Sequence, residues 1–493
     1  MKNMKITKLL AGGVILLALF SCSTSVEETV EKQETPEIAE IPEVPKTYTI
    51  SIAESLNGSV AANLASAEKG SLVTITVSAE SGYGLKKIEA KKSDGIFVAL
   101  AASTQKDSYT FSMPAADVTV YAEYIPVVSA SLSNLSEVIT SLTTESMITL
   151  TGEVTAEDLA TIKSFINDSS FDVCLDLTSV TGLESVPFSS FGFCKKLSGI
   201  YLPDSVTSIG SGAFYACDGL ASFFIPNTVS SIGKDAFYGC EGLTFVNIPK
   251  GITSIKESTF ASCKQLSSVV IPDSVISIEG WAFSNCDISD YVVIPNSVTS
   301  IDGTAFNGCN KLTEIILEPE NTNFTSINRV LFNFDKTQLV FYPAGKTETS
   351  FSIPDCVTSI GKGAFSGCDK LTSILIPNSV TSINEYAFYD CDRLTSIVIP
   401  ESVISIENRA FCECNELTSI NIPKGVTSIG QASFRDCYKL TTITFSDTST
   451  WYRTMDKSKW QSKTEGTETD MTDETVNASN FKGDYWPYYW YKL

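Results

Sequence analysis

The chain has 493 residues, 43% of them hydrophobic and 19% charged, with a formal net charge of −22 and no histidine. That length exceeds one compact core, so several domains or an extended array are expected, with the composition of a folded chain. The acidity disfavours nucleic acid and anionic membrane surfaces as partners, and the lack of histidine excludes a Ser-His-Asp triad, a Cys-His pair and every His-ligated metal site.

Residues 1–21 read as a lipoprotein signal peptide. Lys2, Lys5 and Lys8 precede an uncharged apolar run, Leu9 to Phe20. The run is shorter than the roughly 20 residues that span a bilayer and suits a signal-peptide core. Leu19-Phe20-Ser21-Cys22 resembles a bacterial lipobox, with Phe20 bulkier than usual, and makes Cys22 the candidate lipidation site. A plain secretory signal cleaved nearby is the alternative. Residues 22–46 read as an acidic tether: Val26 to Lys46 holds seven Glu, three Pro and no aromatic residue. Like charges and proline keep such a segment extended. A docking tail is the other reading of that acidic run.

Residues 47–126 read as a small all-β domain. Thr47–Ile52, Leu72–Val77, Tyr109–Met113 and Val118–Ala122 alternate apolar and polar residues at strand spacing. Gly82-Tyr83-Gly84, Phe111-Ser-Met-Pro114 and Asp117-Val-Thr-Val120 resemble the divergent internalin-type B-repeat. The resemblance implies a spacer or adhesion module on an exported protein. Lys86, Lys87, Lys91 and Lys92 read as a solvated basic face. Residues 130–189 read as the amino-terminal cap that an open solenoid end needs. Helices are expected at 133–142, from Leu135, Val138, Ile139 and Leu142, and at 156–167, from Leu159, Ile162 and Ile166. Thr155-Ala-Glu-Asp158 is a capping-box variant at the start of the second. Val173–Leu177 reads as the first strand of a stack.

From 190 to 446 the chain repeats every 23 residues. Phe recurs at Phe191, Phe214, Phe237, Phe260, Phe283, Phe306, Phe365, Phe388, Phe411 and Phe434, and Cys three residues after each. A proline column keeps the same step, and one 36-residue insertion, about 318–353, interrupts all three. A fixed period of this length marks a solenoid. Within a rung, Ile374 and Ile376 flank Leu375 at strand spacing, and Pro377 ends the strand because it has no N–H for a ladder. A second extended piece follows (Val357–Ile360 one rung earlier), then a short helical turn over Gly361–Cys368. Ten rungs give a parallel sheet about 45 Å long at ~4.8 Å per rung. One rung departs: Ser289 stands where Leu belongs, which predicts a local defect.

The pattern IP-x-x-V-x-S-I-G-x-x-A-F-x-x-C-x-x-L resembles the BspA-like, or treponemal-type, leucine-rich repeat. Phe324–Phe332 and Leu339–Lys346 resemble that family's longer, Cys-free repeat. The expected fold is therefore a mainly β repeat solenoid with short helical turns, preceded by a small all-β domain and a helical/β cap. Adjacent equivalent cysteines have parallel Cβ directions near the ~4.8 Å rung spacing, whereas disulfides want about 3.8 Å and converging vectors. A reduced, buried thiol ladder is expected. Cys412-Glu-Cys414 is too short a motif for a metal site, and Cys356 lies off the column.

The residue between the two buried strand positions points outward. Its occupants are Tyr201, Phe224, Asn247, Val270, Val293, Ile316, Leu375, Val398, Asn421 and Thr444. Two positions earlier, a mostly small column is broken by Phe245, Tyr291 and Glu314. Tyr201, Phe224, Phe245, Val270, Tyr291, Val293 and Ile316 form the candidate ligand-binding, concave face, because exposed aromatic patches mark interaction sites. Strand propensity alone would also favour such residues. Residues 447–493 carry Trp451, Trp460, Trp486 and Trp490. They read as a packed carboxyl-terminal cap or, alternatively, a glycan-binding platform. The resemblance implies an adhesin-like surface protein with an extracellular-matrix or cell-surface protein as partner; the alternative is a structural or glycan-binding envelope lipoprotein that uses the aromatic carboxyl-terminal segment. It implies no cofactor. No nucleophile–base pair, metal set or phosphate loop is found for an enzyme.

Overall fold

The computed structural model describes residues 46–102, 107–447 and 450–455, with residues 457, 461, 463, 467–469, 471, 478, 481 and 488–492 of the tail. The signal and tether segments, with Cys22, lie outside the described residues, as do Trp460 and Trp486.

Each solenoid rung follows from its consensus. A short strand such as Ser373–Leu375 pairs in parallel with Ser350–Ser352 and Ser396–Val398. The proline that ends it starts a tight turn, its carbonyl accepting the N–H of the Val three residues on, as from Val380 to Pro377 at 3.1 Å. The Ser-Ile pair beyond that turn forms a two-residue strand, Ser382–Ile383, in register with Ser359–Ile360 and Ser405–Ile406. The short helical turn expected next is instead a chain of tight turns. Residues two before and two after the column Phe have positive φ: Gly363 (63°) and Gly367 (71°), then Tyr386 (58°) and Asp390 (56°). These left-handed residues aim alternate N–H groups along the solenoid axis. Gly363, Phe365 and Gly367 donate to the carbonyls of Glu385, Ala387 and Tyr389 in the next rung, while Ala364, Ser366 and Cys368 close local turns. The backbone polar groups are thereby satisfied, as burial demands.

The Phe and Cys columns fill the interior. From Phe191 to Phe306 and from Phe365 to Phe434, neighbouring rings lie 5.0–5.5 Å apart and within 12° of parallel. Each thiol from Cys217 to Cys309, and from Cys391 to Cys437, donates to the column Phe carbonyl one rung back at 3.0–3.3 Å. The same carbonyl also accepts a local turn N–H, as Phe365 does from Cys368, so the thiol adds a second hydrogen bond from the next rung. No disulfide joins the thirteen described cysteines to one another, and Cys356 is the one among them that is not buried. Burial pushes the Cys194 and Cys217 thiols up to about 12, so these two stay protonated. The Ser289 rung repairs itself: Ile288 takes the core position, Asp290 adopts a φ of 64°, and the register with the next strand shifts by one residue.

Two features depart from a uniform stack. The insertion folds as a hairpin, Phe324–Ile327 with Val330–Asn333, which hands on to Gln338–Phe341. Tyr342 takes the ladder place of a phenylalanine, 5.4 Å from Phe365, and the core divides into two clusters at this point. The strand face is also discontinuous. Rung Leu266–Ile271 forms no ladder strand, so the sheet ends at Phe245–Asn247 and resumes at Ser289–Ile294.

At the amino-terminal end the β domain and the solenoid share one sheet. The strand Val118–Ser131 pairs with Thr47–Ile52 and Tyr83–Lys92 on the domain side. It also pairs with Ser146–Glu153, which leads through Val173–Asp176 and Leu197–Tyr201 into the stack. The boundary expected near 126–130 therefore falls inside a continuous strand. The cap helices are Leu135–Ser141 and Asp158–Asn167, with Leu135, Ile139, Leu159, Ile162 and Ile166 buried. Half of a capping box forms: the Asp158 carboxylate accepts the Thr155 N–H and hydroxyl, both at 2.8 Å. Among the described residues no helix is long and apolar enough to cross a membrane.

Candidate ligand-binding cleft

The aromatic half of the expected face is covered. Strand Tyr83–Lys92 lies over the first rungs, and the Tyr201 hydroxyl donates to the Leu85 carbonyl. Burial holds that phenol well above its ordinary pKa. Phe224 is sandwiched 4.7 Å from Tyr109 of the β domain and 4.7 Å from Phe245, and Phe245 retains only 2% of its surface. Phe245 belongs to the β-domain core, and the half-buried Phe224 packs against it. Tyr201, Phe224 and Phe245 are thus outward-pointing but not exposed, because a second domain supplies the apolar cover. At Gly199 an added Cβ would come within 2.9 Å of the Cys174 sulfur on the adjacent strand.

The basic face is not solvated either. Lys86 bonds Glu145 at 2.8 Å and Glu123 at 2.9 Å, with 15% of its side chain exposed. Burial works against its ammonium, but the two carboxylates outweigh that and leave its pKa above the ordinary lysine value. Lys87 and Lys91 both pair with Glu89. Lys92 reaches Asp94 in its own domain and Asp290 in the solenoid, and the Phe97 N–H donates to the Ser267 hydroxyl at 3.2 Å. Of these contacts, Lys86–Glu145 latches the β domain to the cap, and Lys92–Asp290 and Phe97–Ser267 latch it to the strand face.

Beyond the latch the two surfaces part around a cleft of about 600 Å³. One wall is Ile96–Ala99 and the Pro114–Ala116 turn of the β domain, and the other is rungs Ser267–Ile271 and Ser289–Val293. Val270, Tyr291 and Val293 line it with 59%, 45% and 37% of their surface exposed. The volume lies in the range of small-molecule pockets, and the lining mixes apolar and polar groups. Ile316, one rung further, is half-buried outside the cleft lining. The seven expected residues therefore divide: three covered, three in the cleft, one beside it. The β-domain wall was not foreseen. The excess of aromatics in the outward positions of the early rungs was its one signal in the repeat.

The tail offers no platform through the tryptophans that are described. Trp451 and Trp490 are buried: Trp451 meets Phe445 at 5.2 Å and Trp490 stacks on Phe481 at 4.5 Å. Sugars stack on exposed ring faces, and these faces lie inside the end of the solenoid core.

Among the described residues, two groups of potential metal ligands lie on the turn side of later rungs. Cys412, Glu413 and Asp436 form one, but burial pushes the thiol to about 12, which disfavours the thiolate a metal needs. Asp369, Asp390 and Asp392 form the other. Burial, then repulsion from Asp369, Asp392 and Glu413, raises Asp390 to about 7.

The sequence matches the BspA type leucine rich repeat region, in six copies, over residues 164–289, 230–348 and 340–455. Residues 48–127 match the divergent InlB B-repeat domain. No curated protein matches. Similar solved structures include a leucine-rich repeat protein from Eubacterium ventriosum, 25% identical, covering 60% of this chain and 78% of that one at a TM-score of 0.41. A leucine rich cell surface protein from Faecalibacterium prausnitzii is 28% identical, covering 58% and 87% at a TM-score of 0.43. A leucine-rich repeat protein from Bacteroides ovatus is 25% identical, covering 61% and 78% at a TM-score of 0.36.

Proposed function

The chain belongs to the BspA-type leucine-rich repeat family, and from that premise we propose that it is an exported, lipid-anchored binding protein with an adhesin-like role. Its ligand is a polypeptide, an extracellular-matrix or cell-surface protein, engaged where the strand face is left uncovered. The carrying observation is the cleft. Val270, Tyr291 and Val293 stay exposed there, while Tyr201, Phe224 and Phe245 are consumed by the β domain. The lipobox-like Cys22 and the acidic tether support display away from a membrane, since acyl chains anchor and a charged linker extends.

Solid-phase binding of the full chain to a panel of matrix proteins tests this reading. Replacing Val270, Tyr291 and Val293 together by Ser is expected to weaken binding at least tenfold, about the effect of losing central interface anchors. Thermal unfolding should be nearly unchanged. Undiminished binding by that folded variant contradicts the proposal. Mass spectrometry of the native amino terminus tests the anchor, by a diacylglyceryl mass on Cys22.

A further inference from the structure

We infer that the cleft takes a short extended peptide segment in which an apolar side chain is flanked by basic residues; this rests on reading the cleft as the ligand site. Shape comes first. The solenoid wall runs along one strand from Asp290 to Pro295, about 16 Å at ~3.3 Å per residue, the length of an extended pentapeptide. Along it Tyr291 and Val293 point into the cleft and Val292 and Ile294 into the core. The floor thus presents alternate apolar side chains to an occupant with the same period.

Charge selects the flanks. The lining holds four carboxylates, Asp94, Asp273, Asp290 and Glu318, against two ammonium groups, Lys69 and Lys92. Lys92 is already shared by Asp94 and Asp290. Asp273 and Glu318 have no cationic partner among the described residues, although Glu318 accepts the Asn296 N–H at 3.0 Å. A cationic residue beside an apolar one meets both needs, whereas an acidic segment would be repelled. Aliphatic Val270 and Val293 suit a peptide side chain better than a sugar ring, which prefers broad aromatic faces.

Fluorescence anisotropy of the full chain with three labelled heptapeptides tests the inference. One carries a central Leu flanked by Lys, one the same Leu flanked by Glu, and one a Gly flanked by Lys. The first is expected to bind at least tenfold more tightly than either other. Asp273→Asn with Glu318→Gln should cut that preference over the Glu-flanked peptide about threefold or more and flatten its salt dependence. Val270→Ser with Val293→Ser should remove the advantage of Leu over Gly. Thermal melts establish that both variants are folded. Equal binding of the three peptides, or a preference untouched by both variants, overturns the inference. So does loss of glycan-array binding, rather than peptide binding, in the same variants. If the peptides are not distinguished but the Val270, Tyr291 and Val293 variant still loses matrix protein, the peptide class is wrong and the cleft stands. If neither assay responds, the cleft reading falls as well.

Discussion

The rungs before Asn247 and those after Ser350 obey one repeat, yet their outward columns have opposite fates. Phe245 is buried in another domain's core and Phe224 is half-buried against it, whereas Leu375 and Val398 retain 63% and 75% of their surface. The inward columns do not register the difference: Phe237 and Phe388 are both fully buried and stacked on their neighbours. The repeat therefore fixes what lies inside a rung, and a neighbour in space decides what the outside becomes. The cleft sits at the border between the two regimes, where the ladder lapses at Leu266–Ile271 and the β domain lifts off.

The comparison breaks most readily inside the rungs. Phe237→Ala and Phe388→Ala should each cost about 3–5 kcal/mol, as large-to-small core changes do. Chemical denaturation should find the two costs alike, because neither depends on the cover. Unequal costs would show that the β domain stabilises the interior beneath it. Outside the rungs the halves should diverge. Phe245→Ser should approach the same 3–5 kcal/mol, while Val398→Ser should stay within about 0.5 kcal/mol, as expected for an exposed site. Equal small effects would mean that the cover is loose.

The latch should give a smaller effect. Lys86→Met leaves Glu145 and Glu123 without their cation and should cost about 1.5–3 kcal/mol, the range for charged hydrogen bonds. The loss should appear as faster hydrogen exchange in Tyr83–Lys92 and not in the rungs after Ser350. The last effect lies in the uncovered half and is confined to a pH window. Asp390 is raised to about 7, so the folded state holds a proton that the unfolded state has lost above about pH 4. Its contribution is fully present below pH 4 and disappears as pH rises to 7. Asp390→Asn should flatten that part of the stability–pH curve.

Much of the fold was legible because its causes are periodic. Phe, Cys and Pro recur at one spacing, and the cap helices carry their own apolar faces. The covered face was not legible, because an apolar outward residue looks the same whether it meets solvent or a domain. Lys86 and Lys92 read as solvated for a related reason: their partners Glu145 and Asp290 lie 59 and 198 residues away. The turn also misled. Gly363 and Gly367 announce left-handed backbone in one rung, but Tyr386 and Asp390 adopt it in the next without a glycine to signal it. Of the candidate site, the strand wall was readable from the columns. The Ile96–Ala99 and Pro114–Ala116 wall was not, since nothing in its local pattern points to the solenoid.

Hydroxyl-radical footprinting of the intact chain tests most directly the claim that the β domain divides the strand face. Tyr201, Phe224 and Phe245 should be protected, while Tyr291, Leu375 and Val398 should be oxidised readily. Oxidation of Phe224 and Phe245 as fast as Tyr291 would contradict the division and, with it, the cleft that depends on it.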